Sequence, residues 1–215
     1  FKALDFPAKQ ERTNPMEKKI LAKIDSSEAY AIALQKGLVA IPAICPASGG
    51  TGELDKALWL EKELKRLPFD SVTRIDAPHS AAKNGIRPNL VARYKGTSSA
   101  KTFWIMTHLD IVPPGDLGLW TTDPYQLQVE GRKLIGRGTE DNHQGLVAGI
   151  LCVKAMMDCH WRPPFDIALL FAADEETGSE YGAGYLVDKH SILFGKNDVF
   201  IVPDGGAPDA SLIEV

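Results

Sequence analysis

The stretch that decides the fold is Phe165-Asp166-Ile167-Ala168-Leu169-Leu170-Phe171-Ala172-Ala173-Asp174-Glu175-Glu176-Thr177-Gly178. Its apolar run over 167–172 is typical of a strand that is buried on both faces of a parallel sheet. Glu175 and Glu176 follow at the point where this strand leaves the core. Carboxylates in that position are either exposed loop residues or parts of a functional site, and the neighbouring segments decide between the two.

Helical and strand patterns alternate along the rest of the chain. The apolar periodicity predicts helices over 16–37, 53–67, 145–157 and 181–190. It predicts further strands over 90–94, 103–106 and 199–202, with a small hairpin over 126–135. This alternation predicts an α/β fold, with a mostly parallel central sheet that carries helices on both faces.

The composition of the chain favours some classes of protein and argues against others. The chain has 215 residues, of which 44% are hydrophobic, enough for one large domain with a core. A net charge of −4 without a basic stripe argues against a nucleic-acid partner, and no apolar run approaches the roughly 18 residues of a membrane span. Three cysteines without a CxxC pair predict neither a thiolate zinc site nor a disulfide framework, and a reduced, cytoplasmic setting is the simplest interpretation.

Both ends of the chain differ from the rest of it. Residues 1–15 show no periodicity and are interpreted as a leader, a linker or a remnant of expression. Residues 16–215 form the predicted domain. Its last residues, 211–215, read as the start of a new strand, so we expect the domain to be cut there.

The first candidate site pair is His108 and Asp110, directly after the predicted strand over 103–106. Alternate residues of a strand point the same way, so Asp110 can lie beside the His108 ring. A carboxylate there would hold the second ring nitrogen and fix the tautomer that binds a metal ion. The pattern is also common by chance, as two ordinary polar residues at a strand end.

Asp141 and Asp204 follow other strand or turn ends. Asp141 lies in the glycine-rich loop over 136–142, ahead of a buried helix, where it can face a metal ion or simply cap the helix. Asp204 follows the strand over 199–202 and precedes two glycines, which also suits a plain turn.

Glu175 and Glu176 point in different directions because they are adjacent. One can bind a metal ion while the other holds a water molecule as a general base. Two solvated loop acids are the alternative. Taken together, one imidazole and several carboxylates at strand ends, where open α/β sheets form their sites, match the needs of a two-zinc hydrolase.

Three segments, over 107–113, 136–141 and 174–178, resemble the M20 family of zinc metallopeptidases and amidohydrolases. This family includes glutamate carboxypeptidase, acetylornithine deacetylase, succinyl-diaminopimelate desuccinylase and dipeptidase groups. The resemblance covers 16–215. It implies a three-layer α/β/α catalytic domain of zinc-peptidase type, of which this chain is the N-terminal part.

The resemblance implies four metal ligands: His108, Asp141, Glu176 and Asp204. His108 and Asp204 would bind one Zn²⁺, Glu176 the second, and Asp141 would bridge the two. Glu175 would be the general base, and Asp110 would orient His108. Co²⁺ or Mn²⁺ could replace zinc, since carboxylate-rich sites accept several divalent ions.

Two features of the family fall outside these 215 residues. One is a further histidine ligand of the second zinc, and the other is an inserted lid domain that often mediates dimerisation. The remaining histidines are interpreted as structural or exposed: His79, His143, His160 and His190. Of these, His143 is expected to line the site or cap the helix. The predicted second zinc site therefore has only Asp141 and Glu176.

The main hypothesis is hydrolysis of an amide bond in a small-molecule substrate, either a dipeptide or an N-acyl amino acid. The segment over 108–116 resembles the desuccinylase and deacetylase groups, whereas Asp204 in place of Glu favours the dipeptidase groups. A full-length form would dimerise through its lid. Two alternatives stay open: an incomplete, non-catalytic metal-binding domain that needs the missing part or a partner, and a metal-dependent hydrolase of esters or phosphates.

Overall fold

The computed structural model describes residues 14–205 of the chain. Its α-helices are α1 (Pro15–Asp25), α2 (Glu28–Val39), α3 (Leu54–Leu64), α4 (His143–Asp158) and α5 (Ala183–Lys189). Its strands are β1 (Ser71–Pro78), β2 (Ile86–Tyr94), β3 (Thr102–His108), β4 (Gln128–Glu130), β5 (Lys133–Ile135), β6 (Asp166–Ala172) and β7 (Val199–Ile201).

Five of the strands form one sheet in the order β1-β2-β6-β3-β7, and β4 and β5 form a separate hairpin. Strand β3 runs parallel to both β6 and β7. Strands β1 and β2 add an antiparallel pair to the other edge of β6. The sheet is therefore mixed and not mostly parallel as predicted, and its parallel part is confined to the three strands that lead toward the candidate site residues.

Strand β6 lies at the centre of the sheet and is buried on both faces, as its apolar run predicts. Leu169 and Phe171 pack with helices α2, α3 and α4 in one core cluster. Ala168 and Leu170 belong to a second cluster on the opposite face, with Leu186 of α5. The alternation of side chains along the strand produces this division, and it confirms the α/β fold with helices on both faces.

Two predicted elements differ from the structure. The single helix expected over 16–37 is two helices, because the hydroxyls of Ser26 and Ser27 donate to the Lys23 carbonyl oxygen at 3.0 and 2.6 Å and end α1 there. Strand β1 was not predicted. It is an edge strand of the sheet in which charged and apolar residues are mixed, so it lacks a clear buried face.

The termini are described only in part. Asn14 caps α1 by accepting from the Met16 N–H at 3.0 Å, whereas residues 1–13 and the strand-like end over 211–215 lie outside the described residues. Within 14–205, none of the helices combines the length and the apolar character needed to cross a bilayer.

Candidate metal centre

The candidate site lies at the carboxyl ends of the three parallel strands. His108 is the last residue of β3, and Asp204 follows β7. Glu175 and Glu176 begin a single 3₁₀ turn, Glu175–Thr177, just beyond β6. Parallel strands end at the same edge of a sheet, so these residues are brought together although the chain separates them widely.

A group of three residues could hold a metal ion: His108, Asp141 and Asp204 each offer one ligand atom, and these atoms lie within 4.8 Å of one another. His108 Nε2 is 2.9 Å from Asp141 Oδ1 and 3.7 Å from Asp204 Oδ1. One imidazole nitrogen with two carboxylates is a donor set that suits zinc and related divalent ions. We call these three residues the ligand group.

Asp110 lies on the other side of the His108 ring and is fully buried. His108 Nδ1 is 3.0 Å from the Asp110 carbonyl oxygen and 3.5 Å from its carboxylate Oδ1. With Nδ1–H donating to Asp110, the lone pair of Nε2 is left for an ion. This geometry supports the predicted orienting role of Asp110.

The charges around His108 change its protonation in the absence of an ion. Burial alone lowers the pKa of His108. The hydrogen bond and charge of Asp110, together with the charges of Asp204 and Asp141, outweigh burial and raise the pKa to about 9. The ring therefore carries a proton at neutral pH until an ion displaces it.

Asp110 has a second contact that the sequence analysis missed. Its Oδ1 accepts the backbone N–H of Glu175 at 3.1 Å, and its Oδ2 accepts that of Glu176 at 3.0 Å. One buried carboxylate thus holds both the His108 ring and the turn that carries the two glutamates.

Glu175 and Glu176 occupy different positions relative to the ligand group. Glu175 Oε2 lies 3.9 Å from His108 Nε2, and its side chain is 45% exposed, so a water molecule can reach it. Glu176 is not part of the ligand group among the described residues, and its Oε1 accepts the Val112 N–H at 3.2 Å. The ligand role of Glu176 therefore stays a prediction.

Burial raises the pKa of both glutamates. For Glu175, the charge of His108 opposes this rise, and Asp204 with the other nearby carboxylates adds to it. For Glu176, the Asp141 carboxylate adds to the rise and His108 opposes it. A general base whose pKa lies above the ordinary glutamate value is a better proton acceptor near neutral pH.

Asn142 also takes part in the site, although the sequence analysis gave it no role. Its Nδ2 donates to the Asp204 carboxylate and to the Pro203 carbonyl oxygen, the latter at 3.2 Å. The peptide bond between Asp141 and Asn142 is cis. Asn142 thus joins the loop before α4 to the chain after β7, two segments that each supply one ligand-group aspartate.

Four buried charged residues lie near the site: Glu53, Lys56, Arg87 and Asp174. The sequence analysis gave none of them a role. A signal was present in helix α3, because Lys56 is four residues before Leu60 and eight before Leu64, on the face that packs into the core. Burial lowers the pKa of Lys56 to about 7, against the raising influence of the Asp110 and Glu53 charges.

The other histidines do not join the ligand group in the described part of the chain. His143 is the first residue of α4, and its Nε2 is 2.9 Å from Lys56 Nζ. Burial, with the charges of Lys56 and His108, holds the pKa of His143 well below its usual value. His79 packs edge-on against the Tyr181 ring, with 4.3 Å between ring centroids.

Comparison with known proteins connects this geometry to a family. Residues 104–214, about half of the chain, match the model of peptidase family M20/M25/M40. The chain is 36% identical over 189 residues to an uncharacterized metallohydrolase of Methanococcus maripaludis, an alignment that covers 86% of this chain and 45% of that protein. The chain belongs to peptidase family M20/M25/M40. The predicted resemblance to the M20 family is thereby confirmed.

Two further M20 relatives are informative. The chain is 35% identical over 159 residues to a succinyl-diaminopimelate desuccinylase of Cereibacter sphaeroides, covering 73% of this chain and 38% of that protein. It superimposes on human carnosine dipeptidase 1 with a TM-score of 0.75 and 26% identity, covering 88% of this chain and 41% of that one. The chain thus spans less than half the length of these relatives.

Proposed function

We propose that this chain carries the N-terminal part of a two-metal active site that hydrolyses an amide bond in a dipeptide or an N-acyl amino acid. The observation that carries the proposal is the ligand group of His108, Asp141 and Asp204, with Glu175 3.9 Å from its imidazole nitrogen. A set of divalent-ion ligands beside an accessible carboxylate is what metal-assisted hydrolysis requires.

The residues divide into ion-holding and proton-transfer roles. His108 and Asp204 would hold one Zn²⁺, Glu176 would hold a second, and Asp141 would lie between them. When bound, such ions polarise the scissile carbonyl and make water a stronger acid. Co²⁺ or Mn²⁺ would serve as substitutes, because the donor set is rich in carboxylates.

Glu175 would accept a proton from the attacking water and later donate it to the leaving amine. Its exposed carboxylate and raised pKa support this assignment. Asp110 would serve both steps indirectly, because it holds the His108 ring and the backbone of Glu175 at once.

The relatives support an amide substrate but differ in its kind, since one is named a desuccinylase and another a dipeptidase. We therefore propose the class of bond and leave the acyl group open. A longer form of the protein would supply the remaining ligand of the second ion and a lid that pairs two copies. The three free cysteines support the proposed cytoplasmic setting.

The test is a panel of dipeptides, N-acetyl amino acids and N-succinyl amino acids, assayed with added Zn²⁺. It is run on this chain and on a form extended past Val215. Glu175→Gln should lower kcat by about 10²–10⁴-fold while bound zinc stays the same. Glu180→Gln, an exposed glutamate five residues further on, is the matched control and should leave kcat unchanged.

Two other outcomes of this assay would each favour a different function. Zinc binding without hydrolysis in either form would favour a non-catalytic metal-binding domain. Hydrolysis of esters or phosphates that survives Glu175→Gln would favour the alternative hydrolase and overturn the role of Glu175.

A further inference from the structure

Glu53 and Lys56 are two buried charges at the start of helix α3. They are three residues apart, and both are 0% exposed. Burying a charge is unfavourable unless it is paired and hydrogen-bonded, so two such residues in one helical turn require specific partners. Their contacts lead, through Arg87 and Asp174 on one side and His143 on the other, to the two turns that carry the proposed catalytic and bridging residues.

Glu53 contacts the turn of Glu175 and Glu176. Its carboxylate accepts from Arg87 Nη2 and from Arg87 Nε, the latter at 3.1 Å, and Arg87 Nη1 donates to Asp174 Oδ1 at 2.5 Å. Glu53 Oε1 also accepts the backbone N–H of Asp174 at 3.3 Å. Asp174 precedes Glu175 and has a φ of +66°, a left-handed conformation that a residue other than glycine keeps only when its surroundings hold it.

Lys56 contacts the turn of Asp141. Its Nζ is 2.9 Å from His143 Nε2. The His143 backbone N–H in turn donates to the Gly138 carbonyl oxygen at 3.0 Å, which closes the loop around Asp141. Lys56 therefore fixes a side chain two residues after the proposed bridging ligand, and it does so without touching that ligand.

We propose that Glu53 and Lys56 are positioning residues, which use one rigid helical turn to set the distance between the Glu175–Glu176 turn and the Asp141 turn. The inference rests on the proposed function. The two turns come from loops after different elements, and loops tolerate small shifts that helices do not. A helix that is bonded to both turns holds them in one geometry, as a productive site requires.

The test compares variants in the longest active form of the protein. Glu53→Met and Lys56→Met remove the charge and keep most of the side-chain volume. Leu64→Ala, a fully buried core residue at the far end of the same helix, is the control for lost stability. For each variant we would measure the melting temperature, Zn²⁺ affinity by chelator competition, and kcat and KM per folded molecule.

The Glu53 and Lys56 variants should change different measured quantities. Glu53→Met should lower kcat by about 10–100-fold with little change in KM, while the Zn²⁺ assigned to His108 and Asp204 is retained. Lys56→Met should weaken Zn²⁺ binding by about 10–100-fold, since Asp141 loses its support. Glu53→Gln, which keeps one of the two acceptor oxygens, should lower kcat less than Glu53→Met does, and Leu64→Ala should lower only the melting temperature.

Milder variants keep the test decisive if the methionine variants do not fold. Glu53→Gln and Arg87→Lys should each lower kcat severalfold and be less than additive together, because both act through Asp174. Lys56→Gln should weaken Zn²⁺ binding severalfold. Strictly additive effects of Glu53→Gln and Arg87→Lys on kcat would overturn the role of Glu53. An unchanged Zn²⁺ affinity in Lys56→Gln would overturn the role of Lys56.

Failure of the inference and failure of the proposed function give different results. Variants that match Leu64→Ala in kcat and Zn²⁺ affinity, in a protein that is active, would overturn the inference alone. A parent protein that binds no Zn²⁺ and hydrolyses none of the panel would overturn the proposed function and the inference with it.

Discussion

At the scale of single residues, His108 shows how burial and charge compete. The ring is 2% exposed, which disfavours its charged form, yet the carboxylates on both sides of it favour that form. Its pKa of about 9 in the absence of an ion means that the same acids which would help hold a metal ion also hold a proton in its place.

We expect the affinity for Zn²⁺ to rise with pH. Below a pKa of about 9 the His108 ring is protonated, and it must be neutral to bind an ion, so affinity should fall roughly tenfold for each pH unit below that value. Calorimetry in buffers of different ionisation enthalpy should detect about one proton released per first ion at pH 7.

Asp110→Asn is the matched variant for this measurement. It removes the strongest charge that raises the His108 pKa, so the pH dependence should move to lower pH. An affinity that stays constant between about pH 6 and 8 would contradict the expected proton displacement.

At the scale of elements, the site depends on how β3 and β7 are joined. Asp198 lies just before β7, and its carboxylate accepts from the Thr102 N–H, the Trp104 indole N–H and the Gly195 N–H, each at 2.8 Å. Strand β3 ends at His108 and β7 leads to Asp204, so these bonds join, at the opposite end of the strands, the two elements that carry these ligand-group residues.

We expect Asp198→Asn to lower the free energy of unfolding by about 1–3 kcal/mol at neutral pH, because an amide cannot accept all three hydrogen bonds. Burial alone raises the pKa of Asp198, but the hydrogen bonds from Trp104, Gly195 and Thr102 outweigh it and hold the pKa below its ordinary value. Such a carboxylate stabilises the fold above its unfolded-state pKa, and this contribution is lost as pH falls through its folded-state pKa.

Urea unfolding of both proteins at neutral and acidic pH checks this expectation. The difference in unfolding free energy should be full at pH 7 and shrink as the solution becomes more acidic than the ordinary aspartate pKa of about 3.9. Asp188→Asn, at an exposed position of α5, should show no such difference. An equal gap at every pH would mean that the Asp198 charge is not the cause.

At the scale of the whole molecule, the ligand group exists only in the folded chain. His108 and Asp141 are 33 residues apart in sequence, and Asn142 bonds to Asp204 across 62 residues. No short segment therefore holds the three ligands together, so an ion that binds them binds the folded state in preference to the unfolded one.

Zn²⁺ should accordingly stabilise the chain. At a free concentration about 100 times its dissociation constant, one bound ion adds about 2.7 kcal/mol to the free energy of unfolding. Thermal unfolding with Zn²⁺ and with a chelator measures the shift, and His108→Ala should abolish it. The same shift in that variant would show that the ion binds elsewhere.

Much of the architecture follows from local patterns. The buried strand β6 and the amphipathic helix α3 were predictable because their periodicity depends only on residues within each segment. The mixed character of the sheet was not predictable in the same way. Whether β2 pairs with β6 in an antiparallel or a parallel sense depends on contacts between distant segments, and the edge strand β1 lacks a one-sided apolar face.

By itself, the sequence determined the α/β class, the family motifs and the acidic strand ends, since each is a short pattern of neighbouring residues. Only the tertiary structure decided that Asp110 bonds the backbone of Glu175, that Glu176 turns toward Val112, and that Lys56 lies against His143. These contacts join residues from 64 to 87 positions apart. Partners at such separations are chosen by the packing of whole elements, which no local pattern encodes.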